Sequence, residues 1–245
     1  MYASTTQAPV LLIGAAHVVD VADPIRRVLE GRTLDGVAVE LDPDRAQVLF
    51  EPEGETRTRS HGPLFVRLWG TIQRRLGTEI GGGPPGAEMK AAAVYAHDRA
   101  LPLFLIDDPI RATVLQLVRS MPFKERVGLL VGAVVGLFVP TRVVRREMDR
   151  YVAAPEEYTA ELRRASPTLA RVLIDDRNEH MAERLAHLRA TGYGRVAVVV
   201  GDAHVPGLRA ALTRRGIPVE TVSFGELRGS TGPRPSSESP RPPPS

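Results

Sequence analysis

Apolar residues follow two rhythms along this chain. Four short stretches are dominated by consecutive apolar residues, with no polar residue at every second position: Val10–Ile13, Gly36–Leu41, Leu103–Ile106 and Arg195–Val200. Rich in β-branched residues and without alternation, they predict strands buried on both faces, as in a parallel sheet. Val219–Phe224 predicts a last strand at an edge. Between these runs the spacing becomes helical. Asp23-Pro24 opens a helix with Asp23 as N-cap and Pro24 as its first residue, with Ile25, Val28 and Leu29 on its buried face and Gly31 as its stop, and Asp42-Pro43 opens another with Asp42 as N-cap. Leu64, Phe65, Leu68, Trp69, Ile72 and Leu76 mark an amphipathic helix over 63–78, after a charged loop Glu51–His61. Gly81–Gly86 reads as a flexible turn into a helix Ala87–Arg99.

From Pro109 to Arg189 the pattern is helical almost throughout, with a long helix opening at Ser166-Pro167, and a further helix runs from Pro206 to Arg215 until Gly216 stops it. Strand and helix alternate from the start, so a right-handed βαβ unit is expected. The prediction is an α/β fold: a mostly parallel central sheet with flanking helices and an all-helical insertion, about 109–190, between the third and fourth strands. It forms one domain over 1–228. Residues 229–245 are a Pro/Ser-rich tail that builds no core and is expected to be disordered.

Composition narrows the chemistry. The 245 residues contain no cysteine, which excludes disulfides, thiolate nucleophiles and Cys-ligated zinc, so a metal would need His, carboxylate, carbonyl or water. The net charge of +3 comes from 32 basic and 29 acidic residues with no long basic block, and no nucleic-acid partner is expected. No basic segment precedes the first apolar run, so no secretory signal is expected. The longest apolar segment, Val127–Val139, has 13 residues, against the ~20 that span a bilayer. A cytoplasmic protein is expected, with membrane association unfavoured. Lys124, Arg126 and Arg142 at the ends of that segment leave an interfacial role as a lesser alternative. Gly128, Gly132 and Gly136 recur every fourth residue on one helix face and suggest a packing face or a homodimer contact.

Two strands end alike: Gly14-Ala15-Ala16-His17 and Gly201-Asp202-Ala203-His204. Each places an imidazole where strand gives way to helix, the rim at which open α/β sheets bind ligands. Glu40 ends an apolar strand on the same rim. Two histidines and a carboxylate with open positions suit a divalent metal; alternatively, Glu40 simply pairs with an arginine. Arg177 falls in line with Leu173, Met181 and Leu185 on an apolar stripe. It is then the partner of Glu40 or a clamp for an anionic group, unless the phase is off by one and it is exposed. Asp107 follows the third strand on the rim and Asp108, before Pro109, reads as an N-cap. Glu88 opens a helix, where the macrodipole alone favours an acid. No Walker loop, Gly-x-Ser-x-Gly elbow or Gly-x-Gly-x-x-Gly fingerprint is present, which disfavours nucleotide hydrolysis and serine-esterase chemistry.

These stretches together resemble the TraB family, the pheromone-shutdown-like proteins related to the TIKI proteases and to erythromycin esterase and ChaN-like proteins. The resemblance is carried by Leu12–Val18, Val37–Asp42 with Arg45, Gly86–Met89, Leu105–Asp107, Asp176–Ala182 and Val199–Gly207, which occur in the family's order. It implies an α/β fold with a helical insertion, and a divalent metal held by His17, Glu40 and His204 for hydrolysis, perhaps of a peptide. Glu40 would also be catalytic, or instead serve as the general base, with Arg177 supporting, and Glu88, Asp107 and Asn178 would contact the substrate. Three positions depart from the pattern: Ala15 where threonine is usual, Asp202 where a small residue is usual, and Asp108 where arginine is common. The membrane-spanning extension of some members has no counterpart before the Pro-rich tail. Three functions compete: a metal-dependent, peptidase-like hydrolase; a non-catalytic protein sequestering a signalling peptide or small ligand; and a metal-free hydrolase with histidine as general base.

Overall fold

The computed structural model describes residues 8–15, 22–50, 86–136, 142–143, 146–147, 150 and 154–229. His17, the expected loop at 51–61, the expected helix at 63–78, most of the Gly-rich turn and the tail beyond 229 lie outside the described residues. Five strands form one sheet: β1 (Val10–Ala15), β2 (Gly36–Val39), β3 (Leu103–Leu105), β4 (Val196–Gly201) and β5 (Val219–Val222). All their pairings are parallel, in the order β3-β2-β4-β1-β5. Burial follows the apolar runs. Every residue of β1, β2 and β4 is buried, whereas β3 and β5 at the edges are only partly so.

β1 and β2 are not neighbours, because β4 lies between them and pairs with both. The first strand–helix–strand segment therefore straddles the central strand. Six consecutive apolar or glycine residues with both faces covered let β4 occupy that position. The register sets Ala15 beside Gly201, and Val39 between Val199 and Leu105. The ends of β1, β2, β3 and β4 thus share one rim. Gly14 is required there: a Cβ at this position would collide with the Asp202 carboxylate and lie 2.8 Å from Val205 Cγ2.

Two apolar layers cover the sheet. On one face α1 (Ala22–Glu30), α2 (Pro43–Phe50) and α3 (Ala87–Asp98) place Ile25, Leu29, Ala46, Met89 and Tyr95 against Ile13, Val39 and Val199. After β3 the chain runs through α4 (Ile110–Ser120), α5 (Phe123–Gly136), α6 (Pro155–Ala165) and α7 (Pro167–Ala170). A π-turn over Arg171–Asp175 then leads into α8 (Asp176–Ala190). On the second face α8 buries Met181 and Leu185, and α9 (Val205–Arg214) buries Leu208 and Leu212, against Leu12, Ala38 and Val198. Full burial of each such side chain contributes about 1.5–3 kcal/mol. The last helix of the span expected as an insertion therefore belongs to the sheet's own layer. Leu117, Met121 and Val172 form a separate small core among the preceding helices. A final helix, α10 (Phe224–Gly229), follows β5.

The three Asp-Pro starts differ. Asp23 is not the cap of α1, which already begins at Ala22. Asp42 caps α2 as expected, its Oδ1 accepting from the N–H of Asp44 at 2.9 Å and of Arg45 at 3.1 Å. Asp108 does not cap α4. Pro109, extended at ψ 124°, takes the cap position without a side-chain bond, and Asp108 Oδ1 lies 3.0 Å from His180 Nε2 instead.

Candidate functional site

The rim converges on the guanidinium of Arg177, in the first turn of α8. Arg177 carries five N–H donors, and each has a protein acceptor. Nε donates to Asp107 Oδ1 at 2.9 Å, and Nη2 to Asp107 Oδ2 at 2.6 Å and to Glu40 Oε1. Nη1 donates to the carbonyl of Leu173 at 3.0 Å and to His204 Nε2 at 3.1 Å. Of the two roles expected for Arg177 on its apolar stripe, partner of Glu40 is the one built. No donor remains to clamp an anionic group while these bonds hold. Its acidic neighbours point outward: Asp175 pairs with Arg163, Asp176 accepts from Gln116, and Glu179 meets Arg214 and Arg215.

Glu40 follows β2 and is 5% exposed. Its Oε2 accepts the backbone N–H of Gly201 at 2.6 Å, tying the end of β2 to the end of β4. Asp107 is 1% exposed and is held bidentately by Arg177 and again by Arg45 Nη2. Burial pushes its carboxyl up, but the hydrogen bonds and charge of Arg177, helped by Arg45, outweigh this and hold it below the usual carboxylate range. For Arg177, burial opposes the charged form, but Glu40 and Asp107 outweigh it and raise the pKa above the ordinary value. Arg45 also pairs with Asp42, its Nε donating to Oδ2 at 2.5 Å. Three carboxylates and two guanidiniums thus form one connected set.

His204 closes the short 3-10 turn after β4 and is buried at the entrance to α9. Arg177 can only donate, so Nε2 of His204 is the acceptor in that contact and the ring hydrogen sits on Nδ1. Nδ1–H then donates to Asn178 Oδ1 at 2.9 Å. The other amide atom, Asn178 Nδ2, is buried with no hydrogen-bond partner and lies against Gly207, where a Cβ would overlap it. Turning the amide over would set two donors face to face between Arg177 and His204. The observed orientation therefore avoids the greater cost.

Of the residues expected at the site, Glu40, Asp107, Arg177, Asn178 and His204 come together. Glu88 is buried in the first turn of α3, on the layer across the sheet from α8, and is not among the acceptors of Arg177. His17 lies outside the described residues. Arg45 was not expected as a site residue, although a signal was present. An arginine in the first turn of a helix opposes the macrodipole unless acids meet it, and here Asp42 and Asp107 do.

A metal held by His17, Glu40 and His204 can be tested on two of the three. Glu40 Oε1 and His204 Nε2 are 3.4 Å apart, but the lone pairs they would offer already face Arg177. A divalent ion there would compete with a buried guanidinium for both atoms, cation against cation. As arranged, the described residues do not fit a metal. Among them no group of three or more metal-ligating side chains converges.

Fold and site together define an α/β protein whose polar centre sits at the carboxyl rim of an all-parallel sheet. A model of the TraB/PrgY/gumN family matches residues 3–221, and the chain belongs to that family. It is also 30% identical over 217 residues to an uncharacterized protein of Methanocaldococcus jannaschii. The alignment covers 85% of this chain and 54% of the archaeal protein, so the chain spans about half the length of that relative.

Proposed function

We propose that this chain is a hydrolase working by general acid–base catalysis at the sheet rim, with His204 as the proton-transferring group and an ester or amide carbonyl as its target. The observation that carries this reading is the paired orientation of His204: Nδ1–H fixed on Asn178 and Nε2 facing Glu40 at 3.4 Å. A base held by an orienting partner beside a carboxylate is the arrangement such chemistry uses. The contact from Arg177 to Nε2 is the longest of the five that Arg177 makes, so a water can replace it while the other four bonds hold the guanidinium. That water passes its proton to Nε2 as it attacks the carbonyl carbon, and Glu40 balances the imidazolium. His204 then returns the proton to the leaving oxygen or nitrogen. Glu40 stays fixed between Gly201 N–H and Arg177, as an electrostatic partner rather than a nucleophile.

The test is turnover of an ester and peptide panel by the full chain, with and without chelator, for wild type and His204→Ala, with folding checked by circular dichroism. Chelator-resistant turnover that disappears in His204→Ala supports the proposal. Turnover that appears only on adding a divalent metal overturns it in favour of the metal-dependent hydrolase. Ligand-induced thermal stabilisation without turnover overturns it in favour of a sequestering protein.

A further inference from the structure

Among the described residues, the surface of α4 and α5 combines two independent features. The first is apolar exposure. Phe123 is 79% exposed, Val118 and Val131 55%, Leu115 48% and Val127 42%. On α5 the exposed residues form a stripe at every fourth position, Phe123–Val127–Val131. Beside it runs a second stripe, Lys124–Gly128–Gly132, where a Cβ on either glycine would meet nothing within 4 Å. The inward side of the same helix is occupied: Leu129 packs on the small core.

The second is charge. Residues 110–136, which span α4 and α5, hold four basic residues and one acid, a net +3 equal to that of the whole chain, so the remainder is net zero. The one acid, Glu125, faces inward. It accepts from Ser166 Oγ at 2.5 Å and from the Thr168 N–H and hydroxyl at 3.2 and 2.9 Å, anchoring α5 to the start of α7. Arg126 is likewise engaged, on the carbonyls of Met121 and Val118 at the end of α4. Arg119 and Lys124 remain exposed beside the apolar stripe.

We propose that this face of α4 and α5 rests on an anionic lipid surface. Apolar side chains that dip to the acyl boundary, flanked by long cationic side chains reaching the headgroups, are what an interfacial helix requires. The 14 residues of α5 measure roughly 21 Å at 1.5 Å per residue, too short for a hydrocarbon core of about 30 Å. No helix among the described residues is long and apolar enough to cross a membrane. The contact is therefore one of lying on the surface. Charge weighs against a second copy on this face, because each copy would bring the same net +3 of α4 and α5 against its twin.

The experiment is co-sedimentation of the full chain with phosphatidylcholine vesicles and with vesicles containing a quarter phosphatidylglycerol. The variants are Phe123→Glu/Val131→Glu and Arg119→Glu/Lys124→Glu, all at exposed positions, with circular dichroism and oligomeric state measured alongside. Binding to the anionic vesicles alone, abolished by the first variant, is the expected result. About five-fold loss of partitioning is expected for each cation removed, weakening further in high salt. Failure to sediment with either vesicle overturns the proposal. So does equal binding to both vesicles that neither variant alters. A lipid-independent oligomer that dissociates in Phe123→Glu/Val131→Glu also overturns it and assigns the face to a second copy. None of these outcomes depends on His204, so the lipid contact and the hydrolase reading fail separately.

Discussion

Replacing Arg177 by methionine removes the cation while keeping most of the stem's packing. Glu40 and Asp107, 5% and 1% exposed, are then left facing the same vacated space. Breaking a buried pair by deleting one partner costs about 3–5 kcal/mol, and here it leaves Asp107 with Arg45 alone and Glu40 with the Gly201 N–H alone. That cost is a large part of the ~5–15 kcal/mol available to a domain. The loss should depend on pH, with a sign that can be worked out. In the wild type the Asp107 carboxyl is held low, so its stabilising contribution is present above the unfolded value near ~3.9 and is lost only as pH falls through the lower folded value. In the variant, burial and the neighbouring Glu40 push the Asp107 carboxyl up with only Arg45 left to oppose them. The penalty is therefore full above the raised folded value and shrinks as pH falls through it.

The assay is urea unfolding of wild type and Arg177→Met at pH 7.5 and 5.0, extended to Arg177→Met/Asp107→Asn. The single variant should lose about 3–5 kcal/mol at pH 7.5 and less at pH 5.0. The double variant should recover part of the loss, since Glu40 then stands alone with its bond from Gly201. A loss below about 1 kcal/mol at pH 7.5, the range of exposed pairs, would refute the reasoning. So would a loss that is the same at both pH values.

Three other outcomes are expected. Gly207→Ala should cost about 1–3 kcal/mol by overpacking, since its Cβ overlaps Asn178 Nδ2; denaturation in an Asn178→Ala background should show most of that cost gone. Nitrogen-15 NMR of wild-type His204 should report hydrogen on Nδ1, and Asn178→Leu should abolish that preference; hydrogen on Nε2 in the wild type would contradict the network. Asp35, paired with Arg195 at 2.6 Å near the start of β4, has its carboxyl held low chiefly by that side-chain bond. Its contribution is present above the unfolded carboxylate value and fades as pH falls through the folded one. Asp35→Asn should cost only about 0.2–1 kcal/mol, and less still in high salt.

What was legible in the sequence follows from where the physics is local. Continuous apolar runs marked the buried strands because a strand covered on both faces has no polar position to spare. The residues directly after those runs, Glu40, Asp107 and His204, could be assigned to one rim because parallel strands end together. Arg177 was legible through its spacing from Met181 and Leu185, as the π-turn falls before it and leaves that phase intact. The strand order was not legible: nothing local in Val196–Val200 says that it lies between β1 and β2. Asp108 was misjudged because Asp-Pro fits a helix cap at either Asp42 or Asp108, and only the distant His180 separates the two. Arg45 was passed over because its partner Asp107 lies 62 residues away.

At the rim, the guanidinium of Arg177 takes the lone pairs of Glu40 and His204 that a metal ion would need. Arg177 joins Glu40, Asp107 and His204, three groups on three separate segments, through directed N–H bonds. To admit that ion the guanidinium would have to leave, returning Asp107 to Arg45 alone and exposing the carbonyl of Leu173. Charge-assisted hydrogen bonds of this kind contribute about 1.5–3 kcal/mol each, so the exchange requires strong ligation in return. Whether this centre works with a metal or without one therefore reduces to whether Arg177 can be displaced. Arg177→Met separates the cases in opposite directions: removing the guanidinium should open Glu40 and His204 to zinc or manganese, whereas a centre organised by Arg177 loses the alignment of His204 and its turnover, with or without added metal.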